Sequence, residues 1–469
     1  MNAVFDPLHL QAAILDVMAA GRIPPALLQQ RQRLRLARLL DAARAQSAFY
    51  RKRLPRRADS LRHVPPVTRG ELMAHFDTWV TDPALRLDEL RAFTADASRL
   101  ADPWQGRYVV WESSGTSGQP GLFVQDAAAM AVYDALEAVR HRVPPRAASG
   151  LAGGWFGSFM PLEWLGATDR AALVTATGGH FASVVTFERL RRINPWLAQG
   201  ARSFSIMQPL PALVDELNAF QPTVLATYPT AAALLAEAAA QGALHIRPRH
   251  IITGGETLGA AARARITQAF GAPVRSSYGA SECLTLAWEC AHGHLHLNAD
   301  WVLLEPVDER GHAVPPGRPS HSVWLTNLAN LVQPLIRYDL DDRITLHAQP
   351  CACGSPLPVI DVHGRCDDVL RLAAPPPEGG TVSLLPLALT TVLEEAGLFD
   401  FQLFQQGPRT LLLRLPLTGA AATAAAARGR AALQAFAAAQ GAPGVRVHVE
   451  TGCDLPRGAS GKACRILLE

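Results

Sequence analysis

Two stretches far apart in this chain carry residues suited to polyphosphate chemistry. The first reads Val110-Trp111-Glu112-Ser113-Ser114-Gly115-Thr116-Ser117-Gly118-Gln119-Pro120-Gly121. Glycines let backbone amides come close to an anion, and serine and threonine hydroxyls add donors to phosphate oxygens. A β-like run leads into this loop and a helix-like stretch follows from Ala127, so the loop is expected to join a strand to a helix. No Gly-Lys-Ser/Thr closes it, so it is not the Walker form, and a flexible surface turn would have the same composition. The second stretch is Leu455-Pro456-Arg457-Gly458-Ala459-Ser460-Gly461-Lys462. Lys52 and Lys462 are the only lysines among 44 basic residues, so a lysine in this loop asks for a chemical reason. Arginine is a broad planar fork, whereas lysine is a compact point charge on a flexible stem, which suits a narrow approach to phosphate. Chance survival on a solvated tail is the competing explanation.

A third group offers metal ligands. Glu289-Cys290-Ala291-His292-Gly293-His294-Leu295-His296 precedes Cys351-Ala352-Cys353-Gly354 in the chain. Thiolates and imidazoles in sets of four are the usual ligands of structural zinc. Three histidines compete for the nitrogen position, and reduced thiols beside solvated histidines would account for the same residues.

The elements that must position these groups follow from the pattern of apolar residues. With 469 residues, 49% hydrophobic and 18% charged, the chain is too long for one small module and too apolar for disorder. The formal net charge of +3, without runs of like charge, argues against a nucleic-acid or anionic-membrane footprint. Seven cysteines, an odd number in a long chain, argue against a secreted disulfide framework. Asp6 and Asp16 interrupt what would be a signal sequence, and Arg428 and Arg430 interrupt the Ala-rich stretch near the C-terminus, so a cytoplasmic protein is expected. Residues 1–75 read as a helical lead. From there to 365, apolar runs at 107–112, 171–175, 223–226, 250–253, 274–277 and 322–326 read as buried strands. Helical patterns at 230–241 and 259–270 lie between several of them, which predicts a layered α/β domain. From 366 to 469 the pattern changes to short strands at 402–404, 410–415 and 445–450, with helices near 387–396 and over the Ala-rich stretch. That predicts a separate, smaller α+β domain.

Six motifs in order resemble the signatures of the adenylate-forming superfamily, which includes acyl- and aryl-CoA ligases, firefly luciferase and nonribosomal peptide adenylation domains. SSGTSGQPG resembles its phosphate loop, Thr253-Gly254-Gly255-Glu256 its adenine-side loop, and Ser277-Tyr278-Gly279-Ala280-Ser281-Glu282 its YGxTE motif. Arg337-Tyr338-Asp339-Leu340-Asp341-Asp342 is similar to RYxTGD, Gly364-Arg365-Cys366-Asp367-Asp368 to the GRxDD hinge, and the Lys462 loop to the catalytic-lysine loop. Ser47-Ala48-Phe49-Tyr50 and the Cys-x-Cys-Gly at 351–354 resemble the phenylacetate-CoA ligase branch and its deazaflavin-coenzyme synthetase relatives.

The resemblance implies a large adenylation domain with a small mobile lid, and ATP-dependent conversion of a carboxylic acid to acyl-AMP. Transfer to the thiol of CoA or of a carrier-protein phosphopantetheine would follow. It implies that Ser113, Ser114, Gly115, Thr116, Ser117 and Gly118 hold phosphates, and that Gly255, Glu256, Ser277, Tyr278 and Gly279 line the adenine side. Glu282 would help place Mg²⁺, Asp342 and Arg365 would contact ribose or phosphate, and Lys462 would reach the α-phosphate and carboxylate. By the same resemblance Cys290, His296, Cys351 and Cys353 form a closed structural zinc site. The acid would lie near Trp155, Phe156, His180, Phe181, Tyr228, Pro229 and Ala280, a setting suited to a flat aryl acid. Two departures stand out. Gly121 occupies the position of the family's basic residue, and residues 370–386 replace the usual glycine-containing thiol-tunnel segment. Two other readings therefore remain: a nucleotidyltransferase that stops at the nucleotide adduct, and a non-catalytic nucleotide-binding protein.

Overall fold

A computed structural model describes residues 4–55, 61–113, 120–140, 170–363, 369–374, 380–398, 401–455 and 465–468, with backbone alone at 196, 387 and 468. Its centre is a nine-stranded sheet with two characters. Strands Val274–Ala280, His250–Thr253, Val224–Thr227, Ala171–Thr175 and Ala201–Ser205 lie side by side and parallel. Helices such as Pro229–Ala240 and Ala260–Phe270 provide the crossovers. On the other side of Val274–Ala280 the sheet turns antiparallel through Cys283–Glu289, Leu295–Leu297, Val359–Val362 and Ile344–Leu346. The Val274–Ala280 strand changes partner half-way: Val274, Arg275 and Ser276 pair with the parallel neighbour, and Ser277, Tyr278 and Ala280 with the antiparallel one. Such a junction at the carboxyl ends of parallel strands leaves a crevice that suits ligands.

The N-terminal segment is helical over Pro7–Ala20, Pro25–Gln46, Ala48–Arg53 and Arg69–Ala74. It braces the loop that follows the central strands. Ser47 caps the Ala48–Arg53 helix by accepting from Tyr50 N, and the buried Tyr50 hydroxyl accepts from Ile336 N at 3.2 Å. Trp79 Nε1 donates to Pro334 O at 2.6 Å. Val67 N donates to Arg337 O, and Asp339 N donates back to Val67 O, so Tyr338 is held on both sides.

The sequence reading located Ala171–Thr175 and His250–Thr253 as they stand and Val224–Thr227 to within one residue, stopped three residues short on Val274–Ala280, and missed Ala201–Ser205, where Arg202, Ser203 and Ser205 break the apolar run. Around residues 113–121 it needs correcting. Val109–Glu112 pairs antiparallel with Leu122–Gln125, with Glu112 opposite Leu122, so the loop caps a β-hairpin and does not lead directly into a helix. The helix Ala127–Arg140 begins only after this second strand.

Residues 370–468 form a smaller layer. Strands in the order Arg446–Thr451, Thr410–Leu415, Gln402–Gly407 and Ile466–Leu468 are covered by helices Pro386–Glu395 and Gly419–Ala439, and Leu370–Ala373 forms a hairpin with Thr381–Leu384. This is the small α+β domain that the sequence pattern predicts. It rests on the parallel half of the large sheet: Arg371 pairs with Glu237 at 2.9 Å, and Gln440 Nε2 donates to Met207 O at 2.5 Å. Among the described residues no helix is long and apolar enough to cross a membrane.

Candidate active site and metal cluster

A cavity of about 1860 Å³ opens at the carboxyl ends of the parallel strands. Ser113, Tyr228, Gly255, Tyr278, Glu282 and Asp342 all line it, so residues from motifs far apart in sequence meet around one space. Its polar residues are already bonded to one another. Tyr278 Oη donates to Asp342 Oδ2 at 2.7 Å, and Tyr338 Oη donates to Glu282 Oε1 at 2.7 Å. Burial first, then the adjoining carboxylate, pushes each phenol well above its ordinary range, so both tyrosines remain protonated donors. Arg69 Nη2 lies 3.7 Å from the same Glu282 oxygen.

The glycines at the rim have steric reasons. A Cβ on Gly279 would come within 1.9 Å of Leu284 O, so the chain can turn from Ala280 into the Cys283–Glu289 strand only with glycine there. Gly255 has φ +79°, and a Cβ would meet the Tyr228 ring at 3.0 Å, so the ring lies against bare backbone as a flat wall. Glu256 accepts from Thr230 N at 3.0 Å and from Thr230 Oγ1 at 2.8 Å, which fastens this loop to the first turn of the Pro229–Ala240 helix. At the hairpin neck Ser113 N donates to Gly121 O at 2.8 Å, and Gly121 N donates to Ser113 Oγ at 2.9 Å. Ser113 thus closes the base of the loop. Gly121 admits no side chain without a shift, because a Cβ would stand 3.0 Å from both Ser113 Oγ and the Phe123 ring.

Elsewhere, Cys290, His296, Cys351 and Cys353 bring one ligand atom each to within 4.8 Å of the others. The sulfurs of Cys290 and Cys351 are 3.8 Å apart, and Cys353 Sγ is 3.3 Å from His296 Nε2. Ligands about 2.3 Å from a tetrahedral zinc would stand about 3.8 Å from one another, so the thiolate spacing fits that ion. His296 Nδ1 lies 2.9 Å from Leu357 O; donation of its proton there leaves the Nε2 lone pair facing the thiols. The ring also stacks on Trp288 at 5.3 Å. The antiparallel half of the sheet builds this cluster, through the end of Cys283–Glu289, the Leu295–Leu297 strand and the turn before Val359–Val362.

Residues 8–319 match the sequence profile described as AMP-binding enzyme. The chain belongs to the AMP-binding enzyme family. No curated protein matches it. Among solved structures it is similar to 2-hydroxyisobutyryl-CoA ligase in complex with 2-HIB-AMP and CoA in the thioesterification state. The TM-score is 0.56 and the identity 20%, over 96% of this chain and 91% of that one. An open conformation of the same ligase gives a TM-score of 0.52 at 18% identity, over 93% and 90% of the two chains. At these identities the likeness establishes the shared fold: a large N-terminal and a small C-terminal domain of the adenylate-forming kind.

Among the residues that the sequence motifs single out, the structure brings together Ser113, Gly255, Glu256, Ser277, Tyr278, Gly279, Ala280, Glu282 and Asp342 around the cavity. Phe181 and Tyr228 line it too, but His180 is not among its lining residues. The His180 imidazole is buried with its ring 5.5 Å from that of Phe93, and among the described residues neither ring nitrogen has a hydrogen-bond partner. Ser114, Gly115, Thr116, Ser117, Gly118, Trp155, Phe156, Arg365, Cys366 and Lys462 lie outside the described residues. Sequence reasoning missed Arg69 and the role of Tyr338. Arg69 sits in a stretch read only as a helical lead, and the motif match singled out Asp342 within its segment. The pattern Pro65-Pro66-Val67-Thr68-Arg69, a rigid entry to a capped helix, was the available signal.

Proposed function

We propose that this enzyme activates a carboxylic acid with ATP as acyl-AMP, releasing pyrophosphate, and then transfers the acyl group to the thiol of CoA. The observation that carries the reading is the convergence of Ser113, Tyr278, Glu282 and Asp342 on one cavity at the ends of the parallel strands. A carboxylate approaching the α-phosphorus meets a polyanion, so donors and cations must offset charge as pyrophosphate leaves. Lys462 supplies the mobile point charge, the hydroxyls of the 113–118 loop hold the outer phosphates, and Asp342 accepts from the ribose hydroxyls once a nucleotide is present. A Mg²⁺ ion bound with ATP would be held by Glu282 and would offset phosphate charge. Both contacts to the Glu282 carboxylate among the described residues fall on Oε1, which is consistent with Oε2 serving as ligand.

The acid is an aryl acid in this reading. Tyr228 and Phe181 give the cavity aromatic walls, and the bare backbone of Gly255 lies against the Tyr228 ring. The Tyr228 hydroxyl is held 2.6 Å from Thr175 Oγ1, so the ring has a fixed orientation. The Cys290, His296, Cys351 and Cys353 cluster holds a structural zinc, as in the phenylacetate-CoA ligase branch that the sequence resembles. The small domain is the moving part, turning about a hinge near Cys366 and Asp367 to withdraw Lys462 and admit the thiol. Pyrophosphate release measured with Mg²⁺ and ATP, with and without a panel of aryl acids, tests the first step. Release that depends on one of the acids supports the reading, and release that no acid stimulates removes it.

A further inference from the structure

A chain of three hydroxyls interrupts the apolar side of the cavity. Ser183, Phe187 and Leu190 of the Ala182–Ile193 helix all line it, and their spacing of four and three residues puts them on one side of that helix. Ser183 is exposed. Its Oγ lies 3.1 Å from Thr175 Oγ1, which in turn lies 2.6 Å from the Tyr228 hydroxyl. Thr175 ends the Ala171–Thr175 strand, and Tyr228 follows the neighbouring Val224–Thr227 strand, so the sheet itself fixes two of the three groups.

Other hydroxyls at the cavity are spent on the backbone. Thr186 Oγ1 donates to Ala182 O at 2.7 Å, and Thr227 Oγ1 donates to Val174 O at 2.9 Å. Ser183, Thr175 and Tyr228 bond to one another instead. Each hydroxyl offers one proton and two lone pairs. The two bonds within the chain, together with the Ala176 amide that points at the Tyr228 oxygen, use only part of that capacity. Burial, the largest influence on Tyr228, raises its phenol above the ordinary range and keeps it a protonated donor. Thr175 is 1% exposed, so the open end of the chain is Ser183.

We propose that the acid carries a hydroxyl or amino group on its ring and that Ser183, backed by Thr175 and Tyr228, selects for this substituent by hydrogen bonding. The inference rests on the aryl-acid reading and goes beyond it in naming the substituent. A group that donates and accepts extends the hydroxyl chain. A methyl group of similar size would cover Ser183 with carbon and strip it of water without a replacement bond. Discrimination between two acids of the same shape follows from that difference.

Acid-dependent pyrophosphate release by the full chain, measured without CoA, tests this with hydroxy-, amino- and methyl-substituted benzoates and phenylacetates matched in ring position. Wild type should turn over at least one hydroxy or amino acid with a kcat/KM about tenfold or more above that of its methyl counterpart, and the arm that shows the ratio names the substituent. In Ser183→Ala the ratio should fall to about threefold or less, the methyl acid serving as reference for any general loss. Ser183→Thr keeps a hydroxyl and should keep most of the ratio. Should Ser183→Ala fail to fold, Thr175→Val removes the middle hydroxyl at similar volume and should narrow the same ratio. Matched acids used alike within about threefold by wild type, or a ratio that survives Ser183→Ala, would overturn the proposal and leave the adenylation reading standing. Release stimulated only by aliphatic acids removes the aryl reading and this inference together, and release that no acid stimulates removes the adenylation reading as well.

Discussion

The two halves of the central sheet present their polar groups in opposite ways. On the antiparallel side, four ligand atoms point at one another with spacings that a single zinc ion satisfies, and His296 is oriented by Leu357 O. On the parallel side, every acidic group discussed above already has a partner: Glu256 with Thr230, Asp342 with Tyr278, Glu282 with Tyr338 and Arg69. The first arrangement is finished once an ion is bound. In the adenylation reading the second exchanges partners each time nucleotide enters and leaves, and its three carboxylates are met by the hydroxyls of Thr230, Tyr278 and Tyr338. A structural site gains from rigidity, whereas a turnover site gains from contacts of modest strength.

Replacements that separate the two halves test that contrast, and the largest effect belongs to Lys462. Lys462→Ala should lower acid-dependent pyrophosphate release at least about a hundredfold, or about 2.7 kcal/mol of barrier, with ATP binding retained. Lys462→Arg should be nearly as impaired, since the fork does not fill a point-charge role. Stopped assays with radiolabelled ATP read both.

The converse is the double replacement Cys351→Ser with Cys353→Ser. It should lose zinc by metal analysis and lower the melting temperature by about 5 °C or more, while nucleotide affinity measured well below that temperature stays within about twofold. A protein purified without zinc, or a double variant that melts like wild type, would end the structural-metal account. Gly279→Ala strikes the strand that the two halves share. The 1.9 Å approach to Leu284 O leaves backbone no alternative but to move, and a cost of about 2 kcal/mol is expected in denaturant unfolding, with ATP binding lost alongside. The smallest effect is expected from Tyr278→Phe, which removes one neutral donor from Asp342. ATP and AMP should weaken alike, each by about fivefold or about 1 kcal/mol, because the ribose is common to both.

How much of this was legible in the sequence depends on the range of the interactions. The motifs around Gly255, Tyr278 and Asp342 were readable because each packs its chemistry into a few adjacent residues. Four of the five parallel strands announced themselves through short apolar runs, whereas Ala201–Ser205, with Arg202, Ser203 and Ser205 in it, went unread. The Cys/His cluster was readable because few residue types bind zinc, although its choice of His296 over His292 and His294 needed the family likeness. The strands Leu295–Leu297, Ile344–Leu346 and Val359–Val362 went unread, since three or four residues cannot establish a period. Leu122–Gln125 was hidden behind a Pro-Gly pair that reads as loop. The N-terminal segment was legible as helices but not as a brace, because the bond from Ile336 N to the Tyr50 hydroxyl joins residues 286 positions apart and local pattern carries no trace of it. Arg69 was overlooked for the same reason: among so many arginines, only its tertiary placement distinguishes it.

The central claim is that this enzyme makes an acyl-adenylate and passes the acyl group to a thiol. Mass analysis of products from wild-type protein, a panel of aryl acids, ATP, Mg²⁺ and either CoA or a holo carrier protein addresses both steps in one experiment. The account predicts an acyl-AMP that gives way to the CoA thioester when CoA is present, for at least one aryl acid. An adenylate that accumulates with no thioester from either acceptor would favour an enzyme that stops at the nucleotide adduct, and no adenylate with any acid would contradict the account altogether.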